Sequence, residues 1–323
     1  MVLLLLNLLL CFSTQLHADH LVIRKLTDYP LALCNDGSHA SYHYTEGDLA
    51  NPHMLIYLQG GGACATADGC RNRCKDGDHH CTADTNPVYD KEYTMWSQDP
   101  KENPAFHNFG KVYVHYCSSD VWCGTRSASD DTNGYYFHGK HIVEAVVKDI
   151  IKHKPNVESM KQMVLIGTSA GAFGVNLNCD FVADKFHAVN PGLDVRCIAD
   201  AGDFFPTTVH TEGCDPYELT EITHQFWQGV GDQSCIDETP EGSKECLMFS
   251  SSYNFIETPL MTVAHYIDTT VHGPCTPALD EDQDFWDNWQ KEAYSMAITF
   301  IEVIQFDIYL IFYKTIDLFR TNL

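Results

Sequence analysis

Positive charge is scarce in this 323-residue chain: 20 lysines and arginines stand against 44 aspartates and glutamates, a formal net charge of −24. That composition argues against a nucleic-acid partner, which needs a basic footprint. It also disfavours a polyanionic substrate, which long-range repulsion would slow. A neutral or apolar acyl ester meets no such barrier. No Asn-x-Ser/Thr sequence occurs, so nothing marks an N-glycan site. No internal repeat or low-complexity linker divides the chain. The apolar run Met1–Ser13 lacks a basic flank and is short for a bilayer span. It reads as the core of a signal peptide over residues 1–18, with small residues at Ser13 and Ala18 for cleavage.

Cysteine, by contrast, is plentiful. Fourteen occur, and thirteen remain once Cys11 leaves with the signal peptide. An oxidising, extracellular setting would pair most of them. The odd number leaves at least one thiol unpaired, and Cys275, nearest the divergent end, is the expected one. Cys70, Cys74, His79, His80 and Cys81 invite a zinc reading, but their spacing is poor for zinc and suits disulfides better. No metal is expected.

Alternating apolar segments point to an α/β chain with a largely parallel sheet. The expected strands are Met54–Leu58, Lys111–Tyr116, Met163–Ile166 and Asp194–Ala199. Between the second and third, residues 139–152 carry Ile142, Val143, Val146, Val147 and Ile150 at helical spacing. A further helix is expected over Pro216–Val230, with Pro216 in its first turn and Phe226 and Trp227 as core aromatics or pocket wall.

The chemistry concentrates in two glycine-rich turns. Gly167-Thr168-Ser169-Ala170-Gly171 follows a strand-like run and precedes small residues that suit a tightly packed helix. This is the context of a nucleophile elbow, which lifts a serine hydroxyl above a sheet. Ser169 is the candidate nucleophile. Upstream, Gln59-Gly60-Gly61-Gly62-Ala63-Cys64 leaves another expected strand. A backbone free of side chains there can bring N–H groups to a developing oxyanion. Gly62, Ala63 and Ala170 are the candidate donors. For a supporting carboxylate, Asp268 after the run Met261–Ile267 competes with Asp200 after Asp194–Ala199, and Asp203 is a weaker candidate.

The triple glycine, the stretch Tyr116-Cys117-Ser118-Ser119-Asp120-Val121-Trp122 and the Gly-Thr-Ser-Ala-Gly turn together resemble the pectin acetylesterase/Notum family of secreted serine carboxylesterases. The animal Notum branch fits better than the plant branch. Arg196–Gly202 and Thr258-Pro259-Leu260 also fit, and the resemblance covers roughly residues 21–295. It implies an α/β-hydrolase-like fold, hydrolysis of O-acyl esters without a cofactor, Ser169 as nucleophile and Asp268 as the triad acid. The implied partner is an acyl ester on a protein or a glycan. Two departures bear on substrate choice. Ala63 stands where the family has a bulky aromatic, and Cys123 follows Trp122 where a serine is usual, offering a further disulfide. Trp122 is either a site-lining or a buried structural residue.

In the family the triad histidine lies some tens of residues beyond the acid. Here the single histidine after Asp268 is His272, four residues on. His272 is thus the candidate base, and impaired catalysis is the expectation, with a non-catalytic acyl- or glycan-binding protein as the alternative. The hydrolase domain is expected over residues 19–296. Residues 297–323 form a divergent apolar tail, interrupted by Glu302 and Asp307. Those charges make a membrane span a poor fit. A docked amphipathic helix or an alternative terminus are the readings left open.

Overall fold

The computed structural model describes residues 22–83, 94–154, 156–202, 221, 224–239, 245–265, 284, 287–288 and 309–313. Eight strands form one sheet: β1 (Val22–Lys25), β2 (Ser41–Thr45), β3 (His53–Leu58), β4 (Gly110–Val114), β5 (Gln162–Thr168), β6 (Asp194–Asp200), β7 (Leu260–His265) and β8 (Tyr309–Tyr313). Their order is β1-β2-β4-β3-β5-β6-β7-β8. β2 pairs antiparallel with β1 and β4, and every other pairing is parallel. The molecule is α/β-hydrolase-like, as the alternation of segments implies.

Among the described residues, α1 (Ala67–Arg73), α2 (Gly139–His153), α3 (Ala170–His187), α4 (Gln233–Glu238) and α5 (Phe249–Ser252) are α-helical. β3 and β5 lie in the middle of the sheet. Their near-continuous apolar runs, His53–Leu58 and Gln162–Thr168, are buried on both faces, as parallel strands require. α2 buries Ile142, Val143, Val146, Val147 and Ile150, the positions its helical periodicity marks. Its buried Asp149 accepts hydrogen bonds from Arg24 Nε (2.7 Å) and the Tyr42 hydroxyl (2.7 Å), which fastens the antiparallel edge to the helix layer. α3 is buried along most of its length because helices and sheet enclose it.

Three expectations need correction. The strand expected over residues 111–116 ends at Val114, because the Tyr116 N–H turns instead to the Gln59 side chain (2.9 Å). The helix expected to reach Val230 gives way to a turn at Gln228, whose φ is +48°; its start, Pro216, lies outside the described residues. Within the tail, residues 309–313 extend the sheet beside β7 rather than forming a helix. Tyr309-Leu310-Ile311-Phe312-Tyr313 is the mix of aromatic and branched residues that favours a strand.

Five disulfides are present among the described residues: Cys34–Cys117, Cys64–Cys70, Cys74–Cys81, Cys179–Cys197 and Cys235–Cys246. Cys123 forms no disulfide, contrary to the expectation of an extra bridge there; it is buried as a free thiol. Its Sγ lies 3.1 Å from the Asp120 carbonyl oxygen. Cys275 lies outside the described residues. No described helix is long and apolar enough to cross a membrane.

Candidate active site

β5 delivers Ser169 to the C-terminal edge of the sheet. The residue sits between strand and helix with φ +56° and ψ −124°, a backbone state that a non-glycine residue adopts only under constraint. The constraint is visible: the Ser169 N–H donates to the Asp200 carbonyl at 2.8 Å, and the Ser169 carbonyl accepts from Ala172 N (2.8 Å) and Phe173 N (3.2 Å). Asp200, the competing carboxylate of the sequence reading, thus holds the elbow through its main chain. Gly171 permits the helix to start so close to the sheet. A Cβ there would lie 2.0 Å from the Leu58 carbonyl oxygen.

The loop that leaves β3 runs beside this serine. A Cβ built on Gly60 would lie 3.1 Å from the Ser169 Cβ, so loop and elbow touch. Gly61 and Gly62 have φ of +137° and +69°, conformations that side chains disfavour. Gly62 and Ala63 are exposed, Ser169 is half-buried and Ala170 is buried. The loop backbone and the start of α3 therefore lie on either side of Ser169.

Sequence reasoning did not identify what fixes that loop. Arg73, the last residue of α1, donates through Nη2 to the Gly61 carbonyl and through Nε to Ser119 Oγ at 2.8 Å. Cys64 N donates to the Ser119 carbonyl (3.1 Å), and Cys64–Cys70 ties the loop to α1. Trp122 settles into the structural of its two readings. It is fully buried, its Nε1–H donates to the Gln59 carbonyl (3.1 Å), and its ring lies against Tyr116 and over Gly174 of α3. Trp227 likewise is core, its indole N–H donating to the Cys64 carbonyl at 2.7 Å.

The segment that holds these braces is itself strained. Ser119, Val121 and Trp122 have φ of +52°, +48° and +68°. Asp120 holds them: its carboxylate accepts from Ser118 Oγ (2.6 Å), Trp122 N (3.1 Å) and Gly139 N (2.7 Å). Burial raises this carboxyl to about 6 although those hydrogen bonds favour the charged form. No glycine marks these turns, so the signal in the sequence was only the motif itself.

Beside the loop, the half-buried His80 packs against Gly61 and receives orientation from Asp78 (Nδ1···Oδ1 2.8 Å). Burial holds its imidazole below the usual histidine range. The cysteines whose spacing suits disulfides better than zinc are oxidised in Cys64–Cys70 and Cys74–Cys81. Asp268 and His272 lie outside the described residues. In sequence Asp268 follows the end of β7 by three positions.

A family model described as pectinacetylesterase matches residues 13–306, reaching into the apolar tail. The chain is 30% identical to human palmitoleoyl-protein carboxylesterase NOTUM over 270 residues, 80% of this chain and 53% of that protein. It is 32% identical to the Schmidtea mediterranea protein of the same name over 273 residues, 79% of this chain and 50% of that one. The chain thus spans about half the length of the curated relatives it matches. The crystal structure of the Drosophila Wnt deacylase Notum superposes with a TM-score of 0.76 at 25% identity, covering 91% of this chain and 85% of that one.

Proposed function

The chain belongs to the pectinacetylesterase family, and from that premise we propose that it is a secreted carboxylesterase that cleaves O-acyl esters with Ser169 as nucleophile. The observation that carries the reading is Ser169 at a constrained strand-to-helix turn, with the Gly60–Gly62 loop against it. The relatives' names, palmitoleoyl-protein carboxylesterase and Wnt deacylase, support a protein-bound acyl group as substrate. The family's own description supports a sugar O-acetyl ester. The net charge of −24 favours a neutral or apolar acyl ester over an anionic polymer. Five disulfides among the described residues support an extracellular setting.

In this reading Ser169 Oγ attacks the acyl carbonyl while a histidine takes its proton. The N–H groups of Gly62, Ala63 and Ala170 hold the oxyanion. The histidine returns the proton to the departing alcohol, and water then releases the acid from the acyl-enzyme. Asp268 is the carboxylate that steadies the imidazolium, and His272 is the candidate base. A carboxylate and a base only four residues apart need a sharp return of the chain. Turnover is therefore proposed to be slow relative to a relative with widely separated partners. Losing one triad member leaves about 10³–10⁴-fold catalysis over water, from the oxyanion hole and binding.

The test is hydrolysis of a chromogenic acyl ester by the purified chain, alongside Ser169→Ala and His272→Gln. Turnover lost in Ser169→Ala supports the enzyme, and a parallel loss in His272→Gln supports that base. Saturable binding of the ester with no serine-dependent turnover would overturn the hydrolase in favour of an acyl-binding protein. Acetylated oligosaccharide and acylated peptide substrates then separate the two alcohols.

A further inference from the structure

With its cysteines taken up in disulfides, the stretch from Cys74 to Cys81 leaves three donors gathered on one side. Asp78 Oδ1 lies 2.8 Å from His80 Nδ1 and 3.8 Å from His79 Nδ1, and one ligand atom from each of the three residues falls within 4.8 Å of the others. A tetrahedral zinc with ligands at 2.0–2.1 Å spaces those ligands about 3.4 Å apart. The two Asp78–histidine separations, 2.8 and 3.8 Å, bracket that value. A cation among the three donors would therefore call for side-chain adjustment within a loop whose backbone is already closed by Cys74–Cys81. Two imidazoles and one carboxylate suit zinc and its neighbours among the divalent transition ions, and not calcium or magnesium, which prefer oxygen.

The loop is also built to hold this shape. Cys74–Cys81 closes it. The buried His115 donates from Nε2 to the carbonyls of His79 (2.8 Å) and Thr82 (3.1 Å). Ser119 Oγ donates to the His80 carbonyl at 3.1 Å, and Cys81 N to the Asp78 carbonyl at 2.9 Å. The backbone on both sides of the donors is thus fixed before any ligand arrives, which removes much of the ordering cost of binding. The side chains keep an entry path: Asp78, His79 and His80 are 37%, 38% and 19% exposed.

We propose that Asp78, His79 and His80 form a binding site for one divalent transition cation of the zinc type, on the outer wall of the Gly60–Gly62 loop. The bonds balance without a redox partner. His80 Nδ1 now donates its proton to Asp78; metal binding needs that lone pair, so the proton moves to Nε2 and the ring stays neutral. Nε2 is on the edge of the ring that abuts Gly61. Occupancy therefore replaces an acceptor with an N–H donor beside the loop. The binding itself stands independently of the hydrolase reading.

The experiment is isothermal titration of the untagged, chelator-stripped full chain with zinc chloride in a non-coordinating buffer. One equivalent should bind. His79→Gln, His80→Gln and Asp78→Asn should each weaken that event at least tenfold, and His141→Gln, a histidine on α2, should leave it unchanged. Because Asp78→Asn also alters a turn, circular dichroism and a thermal melt of each variant establish folding. In addition, the wild-type melting temperature should rise with free zinc while that of His79→Gln should not. Absence of uptake by the wild-type chain, or wild-type affinity in the folded variants, would overturn the site.

Discussion

Adding one methyl group at Gly171 should separate the serine from the loop that serves it. In Gly171→Ala the new Cβ would start 2.0 Å from the Leu58 carbonyl oxygen and 2.9 Å from its carbon, whereas ordinary contact begins at 3.4 Å. Opening the gap from 2.0 to 3.4 Å requires a shift of about 1.4 Å. Neither side yields easily. Leu58 ends β3, which is paired with β4 and β5, and Gly171 lies in the first turn of the buried α3. Overpacking of this kind costs roughly 1–3 kcal/mol, which lowers the melting temperature by several degrees in a domain of this size. The effect on chemistry should be larger. A misplacement of about 1 Å can cost on the order of 10²-fold in rate, because, on the proposed mechanism, the loop and helix N–H groups would no longer face the oxyanion position. The assay pairs thermal unfolding with kcat/KM for a chromogenic ester, normalised to wild type. A variant that keeps its melting temperature and its turnover within threefold of wild type would refute the idea that the Leu58–Gly171 approach sets the geometry of the site.

Arg73→Met should leave the sheet intact but release the Gly61 carbonyl, lowering kcat/KM by roughly ten- to a hundredfold, since a lost hydrogen bond to a charged group is worth about 1.5–3 kcal/mol; steady-state kinetics with a matched melt would check it. Cys123 should resist alkylation in the native protein and react once denatured without reductant, and a non-reduced peptide map with Cys123 in a disulfide would contradict the structure. Asp120, raised to about 6 when folded, keeps its proton across a window in which the unfolded chain has released it. Its share of stability is therefore greatest in acid and falls as pH climbs from about 4 to about 6. The stability difference between wild type and Asp120→Asn, from urea titrations, should decline across that window and be flat above it.

The α/β core was legible where one physical demand dominates. The runs Met54–Leu58 and Met163–Ile166 are too apolar to lie anywhere but in buried central strands, and both do. The elbow was legible because strand, glycine-flanked serine and small residues occur in order, and Ser169 lies at that turn. β2 was not, since Ser41-Tyr42-His43-Tyr44-Thr45 shows no apolar run and draws its burial from neighbours. Nothing local distinguishes Arg73 from any other arginine at a helix end; its role depends on where Gly61 and Ser119 arrive from elsewhere. Val121 and Trp122 adopt positive φ without a glycine to announce it, because the buried Asp120 holds them there. Parity of the cysteines required an unpaired thiol but could not choose Cys123, which tertiary packing alone isolates.

The Cys74–Cys81 bridge spans a separation of only seven residues, and so closes its loop almost upon itself. Such a module carries little of the sheet's register: β3 and β5 align through their own ladder, and the loop meets them through a few anchors such as His115 and Ser119. Descent can then rewrite this rim, lengthening it or changing its side chains, while the serine and its strained turn stay in place. A chimera that exchanges residues 74–81 for another disulfide-closed loop should fold with its central ladder undisturbed. The same separation makes the rim the part of the molecule most open to innovation, and the elbow the part least free to drift.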